Sequence, residues 1–324
     1  MNKFNFGKLF VTGIEGITLK IEEAKFIRDN ELAGVILFSK NYESKNQVKE
    51  LIDSIQKIDD RKKLILVDHE GGRVQRFRQE FTIVPSAHEI SLSASPTNCF
   101  NIYEKIAVEL NEVGVNYNLA PCADILTNPS CEVIGDRAFG KNADDASRFV
   151  RAAIRGLQTN KVLSCAKHFP GHGDTKIDSH LDLPVSERTF QQLIDEDINV
   201  FKTAIKAKVF SIMMAHMIVR ELDNEFPISL SKKAHDFLKN EIGFSGIIIS
   251  DDMDMGAITK HFLPTNSALL ALKAGTHLVE YRSFESCKKV VDELNKNYSN
   301  DIELIEILNQ RFFELENSLN KFFS

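Results

Sequence analysis

Residues 165–184, CAKHFPGHGDTKIDSHLDLP, hold three of the chain's nine histidines (His168, His172 and His180) together with Asp174, Asp178 and Asp182. Within this run Asp178 and His180 stand two residues apart, a spacing that in an extended segment puts both side chains on one side. A carboxylate so placed orients an imidazole and stabilises its protonated form, which makes the pair a candidate general acid and base. Pro170, Gly171 and Gly173 exclude helix and permit positive φ, so the run is expected to be a loop able to move. For His172 and Asp174 the plainer expectation is that they support the turn. His and Asp also ligate zinc and manganese, but HExxH-type spacing is absent and an Asp-His pair is chemically complete without an ion. No metal and no cofactor is expected.

Two further motifs carry carboxylates at the ends of apolar runs. In GIIISDDMDMGA (246–257) Asp251 directly follows buried-type residues and Ser250; a carboxylate there is costly unless it has a partner or a task. Asp252 and Asp254 are candidate caps of the following helix, and Met253 and Met255 read as packing residues. In VDHEGGRVQRF (67–77) Asp68 ends a run and precedes Gly71, Gly72, Arg73 and Arg76. Neither GxGxxG nor GxxxxGK is present, so nucleotide binding is unsupported, and Asp68 is better suited to accepting hydrogen bonds from hydroxyls. Lys167, His168 and His216 also end apolar runs. A polar residue often stands there merely because the chain leaves the core; it is their joint occurrence that points to one site.

Eight short apolar runs must position these groups: 8–14, 34–39, 63–68, 115–121, 162–169, 209–216, 246–252 and 277–282. Most are continuously apolar, as parallel strands covered on both faces are, and segments of helical period separate most of them, clearest at 46–57, 100–114, 147–158 and 190–207. The alternation, without linker or low-complexity break, predicts an α/β fold: a single (β/α)8 TIM barrel spanning 1–324, with a doubly wound open sheet as competitor. A barrel gathers strand-end residues at its C-terminal rim. The stretch 76–98 is expected to wander as loop with a short helical turn, and 301–323 to form a final amphipathic helix packed outside the barrel.

Composition narrows the partner. Among 324 residues, 43% are hydrophobic and 27% charged, and the net charge of -6 comes from mixed signs without a basic run. That argues against nucleic acid and against an anionic membrane, and leaves a small molecule as the expected partner. The N-terminal MNKFNFGKLFVTGIEG fits neither a secretory signal nor a spanning helix, and five dispersed cysteines without a CxxC pair suit reduced thiols, so a cytoplasmic protein is expected.

Together KHFPGHGDTKIDSHLDLP, VDHEGGRVQRF, GVILFSKN (34–41), EVIGDRAFG (132–140) and GIIISDDMDMGA resemble glycoside hydrolase family 3, within it the bacterial β-N-acetylglucosaminidases of the NagZ type that serve peptidoglycan recycling. The resemblance runs from the first strand through the seventh. It implies a one-domain barrel, an exo-acting retaining mechanism without metal, Asp251 as nucleophile, and His180 as acid/base with Asp178 as its dyad partner; a monomer is expected. It further assigns Asp68, Arg76, Arg137, Lys167 and His168 to the sugar pocket; Arg137 is visible only through the resemblance. Trp is absent, so stacking on a sugar must come from Phe or Tyr. The eighth strand, AGTHLVEYR, departs from the pattern, with His277 where relatives often have Asp. Two other readings stay open. Phosphorolysis is one, since a neutral histidine does not repel phosphate as a carboxylate does; a sugar-binding homologue without catalysis is the other.

Overall fold

The structure, a computed structural model, describes residues 4–324. Eight parallel strands pair in sequence order: β1 (Phe10–Gly13), β2 (Gly34–Leu37), β3 (Leu64–Val67), β4 (Tyr117–Asn118), β5 (Leu163–Phe169), β6 (Ser211–Met214), β7 (Ile247–Ser250) and β8 (Val279–Tyr281), with β8 returning to β1. The last seam, between β7 and β8, is closed by His277 N–H to Ile248 O at 2.8 Å and Ser250 N–H to Leu278 O at 2.9 Å. The sheet is therefore a closed (β/α)8 barrel and not the open, doubly wound alternative.

Helices follow the strands: α1 (Ile21–Asp29), α2 (Lys45–Gln56), α3 (Pro96–Glu112), α4 (Ala143–Thr159), α5 (Ile198–Lys206), α6 (Lys232–Asp236), α7 (Pro264–Ala274) and α8 (Phe284–Tyr298). Their starts are chemically marked. Ser44, Ser95, Asn142 and Ser283 each accept a backbone N–H of the first turn, satisfying a donor the helix cannot. Ser95 and Pro96 start α3 four residues before the expected Phe100, because proline preorganises the first helical position.

Strand residues alternate between two buried faces. Val11, Ile36, Leu66, Tyr117, Cys165, Met213 and Ile249 fill the barrel, while Phe10, Val35, Ile65, Ala166, Ile212 and Ile248 meet the helices. This explains why the runs are continuously apolar. All five cysteines are free and buried. Just before the stretch 76–98 a hairpin pairs His69–Gly71 with Val74–Gln75, and within it the expected helical turn is a seven-residue helix, Ala87–Ser93, that starts at a Ser86/Glu89 capping box. The terminal helix α9 (Ile302–Phe323) lies outside the barrel as expected, but beneath it: Leu315, Leu319, Phe322 and Phe323 pack on the interior cluster and plug the N-terminal mouth.

His277 belongs to that plug. Its Nδ1 accepts Ile248 N–H at 3.0 Å, so Nε2 carries the proton and donates to Glu314 of α9 at 2.9 Å. The departure in the eighth strand therefore sits away from the sugar motifs and ties β7 to α9. Burial pushes the His277 pKa down to about 4, whereas an unfolded histidine titrates near 6.5. Below about 6.5 the unfolded chain takes up a proton that the native ring refuses, so this group's stabilisation is full above that pH and is lost as pH falls toward 4. Accordingly, the stability gap between wild type and His277→Asn should shrink with falling pH by about 1.4 kcal/mol per unit at most; urea midpoints at pH 7 and pH 5 measure it.

Candidate active site

The inward alternation that fills the barrel continues past the strand ends, where it turns polar. Leu64 and Leu66 lead to Asp68, Leu163 and Cys165 to Lys167, Ile247 and Ile249 to Asp251, and Leu278 to Glu280. At β5 the register against β6 slips between Ala166 and Phe169, and this bulge lets the consecutive Lys167 and His168 both face the same space. The result is a cleft of about 450 Å³ at the C-terminal rim, lined by all eight residues singled out in the sequence: Asp68, Arg76, Arg137, Lys167, His168, Asp178, His180 and Asp251. Phe38 supplies an aromatic wall, with the Arg76 guanidinium 5.7 Å from its ring centre.

One side of the cleft is a charge network. Lys167 Nζ donates to Asp68 Oδ1 and contacts Glu70 Oε1, both at 2.7 Å; Arg76 donates to Asp68 Oδ2 at 2.9 Å; Arg137 grips Glu70 through Nε at 2.9 Å and Nη2 at 2.8 Å. Burial alone would raise the carboxyl pKa values, but Lys167 and Arg76 hold Asp68 far below the usual range, and Arg137 and Lys167 hold Glu70 at about 2. Both are anions; Asp68 lines the cleft and can accept hydroxyls, whereas Glu70 lies behind it and holds Arg137 and Lys167 in place. Glu70 escaped the sequence reading; it is aimed by the hairpin turn at Gly71 and Gly72, with φ of 114° and 54°, where a Cβ on Gly71 would lie 2.5 Å from Pro85 O.

His168 is fixed by Asp124, also unrecognised in the sequence. Nδ1 lies 2.7 Å from Asp124 Oδ2, leaving Nε2 toward the cleft, 3.4 Å from Arg137 Nη2. Cys122, Asp124 and His168 bring three ligand-type atoms close together. Asp124, however, already accepts the backbone N–H groups of His168 and His172 and the Cys122 thiol. Burial and the neighbouring Asp124 push that thiol well above its ordinary pKa, so it remains a proton donor. The cluster is complete as a hydrogen-bonded orienting set.

Asp251 is held ionised. Burial would raise it, but His168, His216, the Asp252 N–H at 2.8 Å and Lys167 outweigh that. His216, whose pKa burial lowers, stands behind the strand end and not in the cleft, with Nδ1 2.7 Å from Ser229 Oγ and Nε2 3.1 Å from Asp252 O. Asp252 and Asp254 do not cap the helix Gly256–Thr259, whose N-cap, Met255, makes no side-chain bond. Asp252 pairs with Arg282, and Asp254 accepts Ser283 N–H at 2.9 Å, so both tie β7 to the end of β8.

Across the cleft Asp178 Oδ1 accepts both His180 N–H at 2.9 Å and the His180 ring at Nδ1, 2.8 Å away. The pair meets as expected, but through a turn and not an extended stretch: Leu181 N–H closes on Asp178 O at 2.9 Å, and the aspartate bonds the backbone two residues on. Burial would raise the Asp178 pKa, but the hydrogen bonds from the His180 backbone N–H and ring keep it below the usual carboxylate range. The loop is docked: Gly256 and Ala257 N–H groups donate to His180 O and Ser179 O, and the buried His172 ring spans Thr175 Oγ1 and Ser179 Oγ at 2.8 and 3.1 Å. His172 is pushed down to about 4 by burial, and Asp174 accepts Glu187 and Arg188 N–H; both support the loop, as anticipated.

Comparison with known proteins gives the family. The family model described as glycosyl hydrolase family 3 N terminal domain matches residues 6–311. A β-hexosaminidase of Hydrogenovibrio crunogenus is 37% identical over 279 residues, covering 82% of this chain and 76% of that protein. A family 3 β-N-acetylglucosaminidase from Paenibacillus sp. superposes with a TM-score of 0.92 at 30% identity; the match covers 97% of this chain but only 62% of that one. NagZ of Neisseria gonorrhoeae, solved with N-trifluoroacetyl-D-glucosamine, superposes with a TM-score of 0.84 at 30% identity over 94% of this chain and 89% of its own. This chain belongs to glycoside hydrolase family 3, on the side of its β-hexosaminidases.

Proposed function

We propose that the cleft removes terminal β-linked N-acetylglucosamine by double displacement with retained configuration. The observation that carries this reading is that an ionised, buried Asp251 and an imidazole held at Nδ1 by Asp178 line one sugar-sized cleft. With Nδ1 committed, His180 exchanges protons through Nε2. In the first step an Asp251 oxygen bonds to the anomeric carbon while the glycosidic C–O bond breaks, and the departing oxygen takes the Nε2 proton. In the second, neutral Nε2 takes a proton from water, whose oxygen displaces the Asp251 ester. Asp68, Arg76, Arg137, Lys167 and His168 hold the sugar hydroxyls and limit the pocket to one terminal residue.

The substrate we infer is a peptidoglycan fragment with terminal N-acetylglucosamine, cleaved in the cytoplasm by a monomer. Five buried free thiols suit a reducing compartment, and among the described residues no helix is long and apolar enough to cross a membrane. The test is turnover of an aryl β-N-acetylglucosaminide against the aryl β-glucoside, with anomeric configuration read by NMR. Preference for the glucoside, or an inverted product, overturns the reading. The same assay in phosphate buffer detects sugar 1-phosphate if phosphorolysis is the reaction.

Loop docking gives a separate prediction. A Cβ on Gly256 would lie 2.6 Å from both His180 O and Leu181 O. Gly256→Val should therefore displace the acid/base loop and lower kcat about 10²-fold, with faster proteolytic cleavage within residues 171–184. An unchanged kcat would show that docking plays no part in turnover.

A further inference from the structure

Glu280 has no task in the scheme above, yet it stands in the cleft. The inward alternation of β8 places it in the polar layer with Asp68 and Asp251, and it is 3% exposed. Its backbone N–H is taken by Ser250 Oγ at 3.0 Å, but among the described residues no group pairs with the carboxyl, and Oε2 is left without a hydrogen-bond partner. A buried polar atom without a partner is costly unless something fills the place.

We propose that Glu280 is a further sugar-contacting residue, whose carboxyl O–H donates a hydrogen bond to a hydroxyl of the terminal sugar gripped between Asp68 and Asp251. The proton stays on Glu280 because burial and the anionic Asp68, Asp252 and Asp251 nearby all oppose a further negative charge, with Lys167 too engaged elsewhere to reverse them. A neutral acid complements the two carboxylates that flank the sugar: Asp68 and Asp251 only accept hydrogen bonds, whereas Glu280 presents a donor to a hydroxyl oxygen. It thus selects sugars with a hydroxyl oriented toward β8.

The inference rests on the assignment of the cleft to a terminal sugar, and the experiment separates the two. Wild type is first assayed on aryl β-N-acetylglucosaminide; absence of turnover overturns that assignment. Given turnover, Glu280→Leu and Glu280→Gln are compared with wild type on that substrate and on its 3-, 4- and 6-deoxy analogues. Glu280→Leu should lose about ten- to a hundredfold in kcat/KM on the parent sugar, whereas Glu280→Gln, which keeps a neutral donor, should stay within about threefold. On one deoxy sugar the Leu penalty should vanish, a pattern that a packing role does not produce. An undiminished Leu variant, or an equal loss on every analogue, overturns the proposal. If Glu280→Leu fails to melt cooperatively, Glu280→Asp, which withdraws the acid by one methylene, replaces it, and the same pattern is required.

Discussion

Asp251→Ala is expected to lower turnover by about 10⁴-fold or more, the scale on which removal of a covalent nucleophile is felt. The loss should appear in kcat and kcat/KM alike, since Asp251 bonds to carbon only on the way through the transition state. Removing an anion from beside Lys167 leaves its ammonium group near a gap of carboxylate size. Added azide should enter there, attack the anomeric carbon of an activated aryl substrate from the face Asp251 used, and release α-glycosyl azide. Mass spectrometry of wild type trapped with a slow 2-deoxy-2-fluoro or 5-fluoro substrate should place the sugar on the peptide containing Asp251. A label on another carboxylate, or an Asp251→Ala variant with more than about a hundredth of wild-type kcat, would remove Asp251 from this role.

His180→Ala should act selectively. Proton donation matters when the leaving group is basic, so alkyl and glycosyl substrates should slow by about 10²–10⁴-fold, while aryl substrates with acidic phenols keep most of their rate of glycosyl-enzyme formation. Turnover of the latter then waits on water, which has lost its base. Azide needs no base; it should accelerate this variant and give the β-glycosyl azide, opposite in configuration to the product from Asp251→Ala. Asp178→Ala should follow the same pattern with a smaller loss, because the imidazole remains but no carboxylate fixes its Nδ1 tautomer. Equal losses on both substrate types would contradict the acid role of His180.

The barrel was legible because parallel strands buried on both faces spell continuous apolar runs, and because helix starts carry Ser, Asn and Pro with known chemistry. The hairpin after β3 was not, since strands of two and three residues are too short to show a period. The SAHE capping box that starts Ala87–Ser93, by contrast, is a local pattern that marks the helix start in the sequence itself. Within the site, residues in conspicuous motifs were found, and their partners were not. Glu70 and Asp124 matter only through Arg137, Lys167 and His168, which lie 67, 97 and 44 positions away and meet them only once the barrel closes. Glu280 was hidden for another reason: in VEY its inward direction follows from the register of β8 against β1, which no local pattern reveals. Asp252 and Asp254 were misjudged because a strand-to-helix turn offers aspartate two uses, and here the neighbouring β8 supplies stronger donors than the short helix does.

The α9 plug also bears on how the proposed reaction would proceed. With Val11, Ile36, Leu66, Tyr117, Cys165, Met213 and Ile249 filling the interior and Leu315, Leu319, Phe322 and Phe323 closing the lower mouth, Asp251 faces solvent through the C-terminal cleft. In the proposed double displacement, aglycone, water and freed sugar would share that opening, so the departing fragment would have to clear it before the hydrolytic water could take its place.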